Sequence, residues 1–414
     1  MSGRLPAAAW LTAPETKAVM GALERAEPGG ARFVGGCVRN TLLGQAVDDI
    51  DIATVLVPDQ IIAAAHALGL EAVPTGIEHG TITVIANHHP FEVTTLRRDI
   101  STDGRRATVA FTRDWNEDAQ RRDFRFNALY ADSDGTLHDL IGGGIDDARE
   151  GRVHFIGDPD ARIREDYLRI LRFFRFFAWY GKGDPNPDGL AACARLKDGL
   201  LQLSAERVWK ELKKLLAAPD PRPALIAMET SGVFPYVLPE AANRSRLDGL
   251  VEIESGIIGA SDSFLRVAAL LPDDPEAGRA LARRLKLSND ERLRLVRALE
   301  SNERIVCYMS MCEARRALYR IGAQAFRDRA FLAWAAAPEG KAAPQWRALL
   351  AIAETWDRPR LPLSGEDIIA AGVPPGPRVG AVMREVETWW IDSDFTDDKL
   401  SIAERLKAVA QGMN

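Results

Sequence analysis

The stretch FVGGCVRNTLLGQAVDDIDIAT, residues 33–54, sets two glycines before a short helix and then two aspartates, Asp49 and Asp51, one residue apart on what reads as a strand. Side chains two apart on a strand share a face, about 7 Å apart along the chain. On this pattern Asp49 and Asp51 converge on one hard cation or a pair of them, while Asp48 points to the opposite face. Magnesium prefers oxygen ligands and commonly bridges carboxylates to substrate phosphates. Two such ions about 4 Å apart can activate an attacking hydroxyl and stabilise a leaving phosphate. Gly35 and Gly36 let backbone N–H groups approach a phosphate at the positive end of the next helix, and Arg39, one turn in, is placed to pair with the same phosphates. A lone glycine pair is more often a simple turn, and a lone Asp-x-Asp a charged strand end. The two together, with twelve residues between them, are far more specific.

The whole chain sets the frame. Its 414 residues allow two to four compact units. A hydrophobic fraction of 46% and a charged fraction of 27% belong to a globular chain, not a disordered one. No apolar run approaches the roughly 18 residues of a membrane span. The short apolar patch at 6–11 follows only Arg4 and lacks a full signal-peptide core, so the expected location is cytoplasmic. Cys37, Cys193, Cys307 and Cys312 form no CxxC pair, which argues against a zinc site or a disulfide frame. The net charge of −6 gives no general pull toward nucleic acid, yet between Arg162 and Lys182 six basic residues face only Glu165 and Asp166. A basic face on an acidic protein suits a phosphate-rich partner held at one site; the plainer alternative is a set of solvated helices with paired charges.

Residues 1–150 alternate helix and strand signals. A helix is expected at 12–26, strands at 32–34 and 49–55, a helix from Pro58 to Leu68, and strands at 70–73, 81–86 and 91–96. After Gly151 long amphipathic stretches dominate. Ser204 opens one whose face carries Val208, Leu212, Leu215 and Leu216, Ser288 and Glu291 have capping-box spacing, and Ser364 and Gly372 bracket another helix. The fold class is α+β: a sheet-bearing first part, then a mostly helical body, with breaks near Gly151, at 219–223 and around 338–344.

These segments together resemble the nucleotidyltransferase superfamily, and within it the class holding bacterial CCA-adding tRNA nucleotidyltransferases and poly(A) polymerases. The glycine pair, "VR", "LLG" and "DIDIAT" match that family's first motif; where the family commonly has Asp after the Arg, this chain has Asn40. "FEVTTLR", 91–97, resembles the next strand, on which Glu92 is either a third carboxylate near the metals or a solvated residue. The run from Asp103 to Leu129 resembles a flexible arginine-rich loop followed by the "RRDFTxNA" motif, which implies contacts from Arg122, Asp123 and Asn127 to the incoming nucleotide's phosphates and ribose. Arg121 and Arg125 are expected to be surface or loop charges.

"REDYLRILRFFRF" resembles the family's "EDxxR" motif, which implies that Asp166 and Arg169, three apart on a helix surface, read the base. Cytosine and adenine both present an amino donor beside a ring-nitrogen acceptor, which a carboxylate and a guanidinium match; uracil and guanine turn a carbonyl toward the carboxylate. Arg172 and Arg175 follow at the same spacing and are expected to touch phosphate or RNA. "LSAERVWKELKKLL", 203–216, resembles the last motif and is assigned no chemistry; Trp389 and Trp390 are expected in packing.

The resemblance implies a small polymerase-β-like head with a mixed sheet (1–150), a helical neck that selects the base (151–220), a helical body (221–338) and a helical tail that binds tRNA (339–414). It implies magnesium-dependent addition of C, C and A to tRNA 3′ ends from CTP and ATP. The alternative is a poly(A) polymerase, but "TGIEHGTITV", 75–84, lacks the basic, aromatic segment those enzymes carry there. The last histidine is His154, so an appended phosphohydrolase built on His–Asp metal sites is not expected.

Overall fold

The computed structural model describes residues 3–102, 107–336, 342–396 and 398–412. The chain divides into two compact units, Met1–Pro239 and Glu240–Asn414.

The first unit is built on a seven-stranded mixed sheet. Its strands are β1 (Ala31–Val34), β2 (Asp51–Thr54), β3 (Glu71–Gly76), β4 (Thr81–Ala86), β5 (His89–Thr95), β8 (Leu129–Ala131) and β9 (Leu137–Asp139), in the order β3-β4-β5-β2-β1-β8-β9. β2 and β5 pair in parallel; the other neighbours are antiparallel. A separate two-stranded ribbon joins β6 (Arg97–Thr102) to β7 (Ala107–Phe111). Of the flexible arginine-rich loop expected in the run from Asp103, residues 103–106 lie outside the described residues, and the part before the "RRDF" motif that follows them is strand β7 and a short helix rather than loop.

Alternation along the strands decides which side chains reach the site. Ile52, Ile82, Val84, Phe91 and Val93 turn to one face, where helices α1 (Pro14–Ala26), α2 (Gly36–Leu42) and α3 (Pro58–Ala67) bury Val19, Leu23, Val38, Ile61 and Ala65 against them. Burying Ile52 and Phe91 therefore commits Asp51 and Glu92 to the other face. These two acids are register partners across the parallel pair.

Helix α4 (Trp115–Gln120) follows the ribbon, and after β9 the unit becomes helical. Helices α5 (Pro159–Glu165) and α6 (Leu168–Tyr180) are separated by a sharp break, and α7 (Ala205–Leu216) lies against α6. Helix α6 is fastened by aromatic rings to the segments around residues 124–126 and 155. Phe124 lies 4.7 Å from Phe155 and 5.3 Å from Phe176, Phe126 lies 5.4 Å from Phe176, and Phe155 stacks on Phe173 at 5.7 Å. Phe124 and Phe126 come from the "RRDFRFN" segment, so the residues that position the site also fasten the helices to it.

The second unit is helical throughout its described residues. Ser288, Ser310 and Ser364 each close a capping box, with Glu291, Glu313 and Asp367. Trp390 is buried with Tyr319, Ile391 and Ile402, and Trp389 packs against them, as expected for packing residues. Glu254 and Arg266 form a buried pair at 2.6 Å.

The strand expected at 49–55 is shorter than the sequence suggests: β2 begins at Asp51, and Asp49 sits in the extended segment before it. Four short strands, β6 to β9, carry too little alternation to be seen in the sequence.

Phe173 is fully buried in the aromatic cluster. Phe173→Ala should cost about 3–5 kcal/mol, typical of a large ring lost from a packed core. A lower urea midpoint in equilibrium unfolding, with reduced activity at a temperature where the wild type is intact, is the expected result.

Candidate active site

A cavity of about 600 Å³ opens where α2, the β2 entry, the 121–127 segment and helices α6 and α7 meet. It is lined by Gly35, Gly36, Arg39, Asp49, Asp51, Arg122, Asp123, Asn127, Asp166, Arg169, Arg172 and Arg175. Every site residue expected from the sequence thus faces one space. Eight basic side chains line it against five acidic ones, so a chain of net charge −6 presents a cationic pocket. Such a pocket suits a polyanion that brings its own counter-cation.

The acidic wall starts at β2. Burial first, and then the Glu92 and Asp49 charges, push the Asp51 carboxyl up to about 6, against the pull of Arg122. A divalent cation beside Asp51 would relieve that repulsion. Among the described residues no group of three or more His, Cys, Asp or Glu side chains is gathered as a metal site. Asp49 and Asp51 are therefore the candidate ligands, with phosphate oxygens to complete the shell. Glu92 does not line the cavity; it acts on Asp51 from the neighbouring strand. Asp48 does line it, contrary to expectation. Strand alternation cannot turn Asp48 away, because 48–50 lies outside the ladder.

The glycine corner follows from β1. Gly35 has φ +74° and ψ −121°, a conformation closed to L side chains, and its N–H donates to the Leu129 carbonyl. A Cβ here would lie 3.7 Å from Arg122 Nη1. Arg122 is held by Asp118 at 3.1 Å and by the Tyr130 hydroxyl at 3.2 Å. Burial works against the ionised Asp118, but Arg122 and Arg121 outweigh it and hold the carboxyl at about 2. Arg121 is thus no loose surface charge: it pairs with Asp118 at 2.7 Å and lines the cavity. Arg125 is half-buried outside the lining.

Arg39 is buried beneath the glycine corner. It donates to Asn127, to Asn40 at 2.9 Å and to the Tyr180 hydroxyl at 2.7 Å, and its guanidinium stacks 4.2 Å over the Tyr180 ring. Asn40, where the family commonly has Asp, accepts from Arg39 while its own amide donates to the Ala46 carbonyl at 2.8 Å. An aspartate could not make that second bond. Asn127 in turn donates to Asp123 at 3.0 Å, and Asp123 accepts from Arg172 at 2.6 Å. Burial would raise the Asp123 carboxyl, but Arg172 and the Asn127 hydrogen bond outweigh it and hold it at about 2. Asp123 and Asn127, expected at the ribose, are thus also links in a chain from α2 to α6. Arg175 pairs with the buried Glu211 and lies 3.9 Å over Phe176. Arg175 and Arg172 both line the cavity wall, held by these carboxylates.

Asp166 and Arg169 line the same cavity but do not pair with each other, and they do not share a helix surface. Asp166 lies at the break between α5 and α6 with φ −157° and ψ 106°. Its Oδ1 accepts from the Leu168 amide at 3.1 Å, a capping bond that starts α6, and its Oδ2 accepts from Arg207 at 2.6 Å. Arg169 pairs with Glu165 and donates to the carbonyls of Arg162 at 2.8 Å and Arg121 at 3.2 Å. Arg162 reaches the Arg122 carbonyl at 2.6 Å. Arg207 and Lys214 of α7, a helix for which no chemistry was expected, also line the cavity. Their signal lay in basic residues on the helix that carries the apolar stripe.

Residues 31–154 match the family described as "Poly A polymerase head domain", and residues 184–244 match "Probable RNA and SrmB- binding site of polymerase A". The chain is 33% identical over 393 residues to the CCA tRNA nucleotidyltransferase 1, mitochondrial, of Mus musculus, covering 91% of this chain and 86% of that protein. The chain belongs to the class II CCA-adding nucleotidyltransferase family. A CCA-adding enzyme of Limosilactobacillus fermentum is 32% identical over 381 residues, with 91% and 92% covered. The structure of the Bacillus stearothermophilus CCA-adding enzyme in complex with CTP superposes with a TM-score of 0.76 at 25% identity, covering 97% of this chain and 98% of that one. Members of this nucleotidyltransferase family depend on a divalent metal ion. No helix among the described residues is long and apolar enough to cross a membrane.

Folding raises the Asp51 pKa from the ordinary 3.8 to about 6. The folded protein therefore binds this proton more tightly than the unfolded chain, and ionised Asp51 lowers stability increasingly from about pH 4 to pH 6 and fully above it. Asp51→Asn should raise the Tm of the metal-free protein at pH 7.5 and leave it nearly unchanged at pH 4, by about 2–4 °C per kcal/mol relieved. A divalent cation should raise the wild-type Tm at pH 7.5 and the variant's much less, as read by scanning calorimetry.

Proposed function

We propose that this chain adds C, C and A in turn to the 3′ end of tRNA, using CTP and ATP and releasing pyrophosphate. The observation that carries this is the single cavity lined by both acidic residues of the "DIDIAT" segment and by Asp166 and Arg169. One nucleoside triphosphate can then touch a metal-binding pair with its phosphates and a base-reading pair with its base.

Asp49 and Asp51 hold magnesium. Bound there, it would lower the pKa of the attacking tRNA hydroxyl and neutralise the departing pyrophosphate. The Gly36 backbone at the start of α2 and the Arg122 guanidinium grip the triphosphate, and Arg39 sets the corner from beneath. Asp123 and Asn127 offer their remaining acceptor capacity to the ribose hydroxyls. Asp166 accepts from the amino group of cytosine or adenine, and Arg169 donates to the adjacent ring nitrogen. Uracil or guanine would set a carbonyl against the carboxylate and leave polar groups unpaired, at about 1–3 kcal/mol each. Arg172 and Arg175, anchored on Asp123 and Glu211, supply positive field for the RNA 3′ end. The working division is a catalytic head at 1–150, a base-selecting neck at 151–220, a body at 221–338 and a tRNA-binding tail at 339–414. The relatives support CCA addition over poly(A) synthesis: the mouse and Limosilactobacillus proteins carry that name over most of their length.

The test is incubation with magnesium, a tRNA ending at the discriminator base, and each nucleotide separately and then together. Two C and then one A are expected; long A tails without C would favour a poly(A) polymerase. Replacing Asp166 and Arg169 together by alanine should let UTP and GTP compete, lowering C-over-U selection by at least about tenfold, with magnesium dependence unchanged. Loss of magnesium dependence in that variant would overturn the assigned roles.

A further inference from the structure

We propose that Arg207 is a positioning residue for base selection: it holds the Asp166 carboxylate in the orientation that reads the base. The proposal rests on the base-reading role given above to Asp166 and Arg169.

Asp166 needs holding. It sits at the break between two helices, in extended backbone, so no helical neighbour one turn away packs its side chain. Arg169, the first basic residue after Asp166, is engaged elsewhere, with Glu165 and two backbone carbonyls. The carboxylate is instead fixed from two sides: the Leu168 amide takes Oδ1 and Arg207 takes Oδ2. A carboxylate has about four lone-pair sites, so two such bonds fix its plane and leave capacity for an exocyclic amino group.

Arg207 is rigidly presented. It stands in the first turn of α7, and Val208, Trp209, Leu212 and Leu215 of the same helix are buried. A cation in the first helical turn faces the positive end of the helix dipole, which disfavours it. The Asp166 charge offsets that cost. Arg207 also lines the cavity, and both partners keep about a quarter of their side-chain surface open, so the pair can meet a base without unpacking.

Rejection of uracil and guanine depends on a carboxylate that cannot turn away from their carbonyl. Without Arg207, Asp166 keeps its backbone bond but loses its second support. It can then rotate, accept from amino groups less well and exclude carbonyls less well. Selection should fall even though neither base-reading residue has changed.

The experiment compares Arg207→Met, Arg207→Gln and Arg207→Lys with wild type and with Asp166→Ala in the full chain, on tRNA lacking its CCA end. Single-nucleotide kcat/KM is measured for CTP, UTP, ATP and GTP, and Tm for each protein. Arg207→Met and Arg207→Gln should lower the CTP/UTP and ATP/GTP ratios by about tenfold, the scale of one lost charge-assisted hydrogen bond, chiefly through a higher KM for CTP and ATP. Arg207→Lys, which keeps the charge, should recover most of the ratio. If Arg207→Met does not fold, the glutamine variant carries the comparison. Equal losses for all four nucleotides, or an unchanged ratio with a lower Tm, would overturn the proposal by making Arg207 a brace for α7 only. Wild-type selection in Asp166→Ala would instead overturn the underlying base-reading role.

Discussion

A buried aspartate with both oxygens occupied sits where the sheet meets the helices. Asp123 accepts from the Phe124 amide and Asn127 on one oxygen and from Arg172 on the other. Removing a charge of this kind from water is costly, and what offsets the cost is these three donors. Those donors come from separate parts of the chain. Asn127 carries the link on to Arg39 and α2, and Arg172 belongs to α6. The start of α2 and the middle of α6 are thus tied together through one carboxylate. The rings of Phe124, Phe126, Phe173 and Phe176 close water out around it.

The same joint explains why the cavity can be so strongly basic without flying apart. Arg39 and Arg169 spend donors on neutral acceptors, an amide oxygen, a phenol and backbone carbonyls, and Arg169 also pairs with Glu165. Arg172 and Arg175 are matched by Asp123 and Glu211. Guanidinium suits this use, because five donors in a planar fork can be divided between a structural partner and a ligand, and the charge persists on burial. A lysine set in the same places would offer a compact charge that burial readily neutralises.

Much of this was legible in the sequence, and the parts that were not share a cause. The glycine pair, the Asp-x-Asp, the "RRDFRFN" run and the "REDYLR" run each resemble a known motif, and all of them fall on one cavity. Alternation over β4 and β5 was readable because one face is buried. It misled at Asp48 and Asp49, since a period of two holds only inside a ladder, and the ladder starts at Asp51. It misled again at Asp166, where helical spacing was carried across a break that the Asp166 cap itself creates. Arg207 was passed over because its partner lies 41 residues away in sequence. Local pattern reports local geometry, while a pairing of that span appears only once α7 has packed on α6.

That difference also bears on how selectivity is stored. A base-reading pair standing alone on a helix would be two long, mobile side chains, able to adapt to the wrong base as readily as to the right one. Here Asp166 is pinned by the Leu168 amide and by α7, and Arg169 is pinned to the Arg121 carbonyl, beside the Arg122 proposed to grip phosphate. On the roles proposed for Asp166, Arg169 and Arg122, reading the base and holding the triphosphate are not independent events: a carbonyl that orients Arg169 belongs to Arg121, one residue before Arg122. A base that draws Arg169 out of line pulls on the segment that aligns the phosphates. A wrong base is then penalised twice, once in its own hydrogen bonds and once in the alignment of the reacting phosphate.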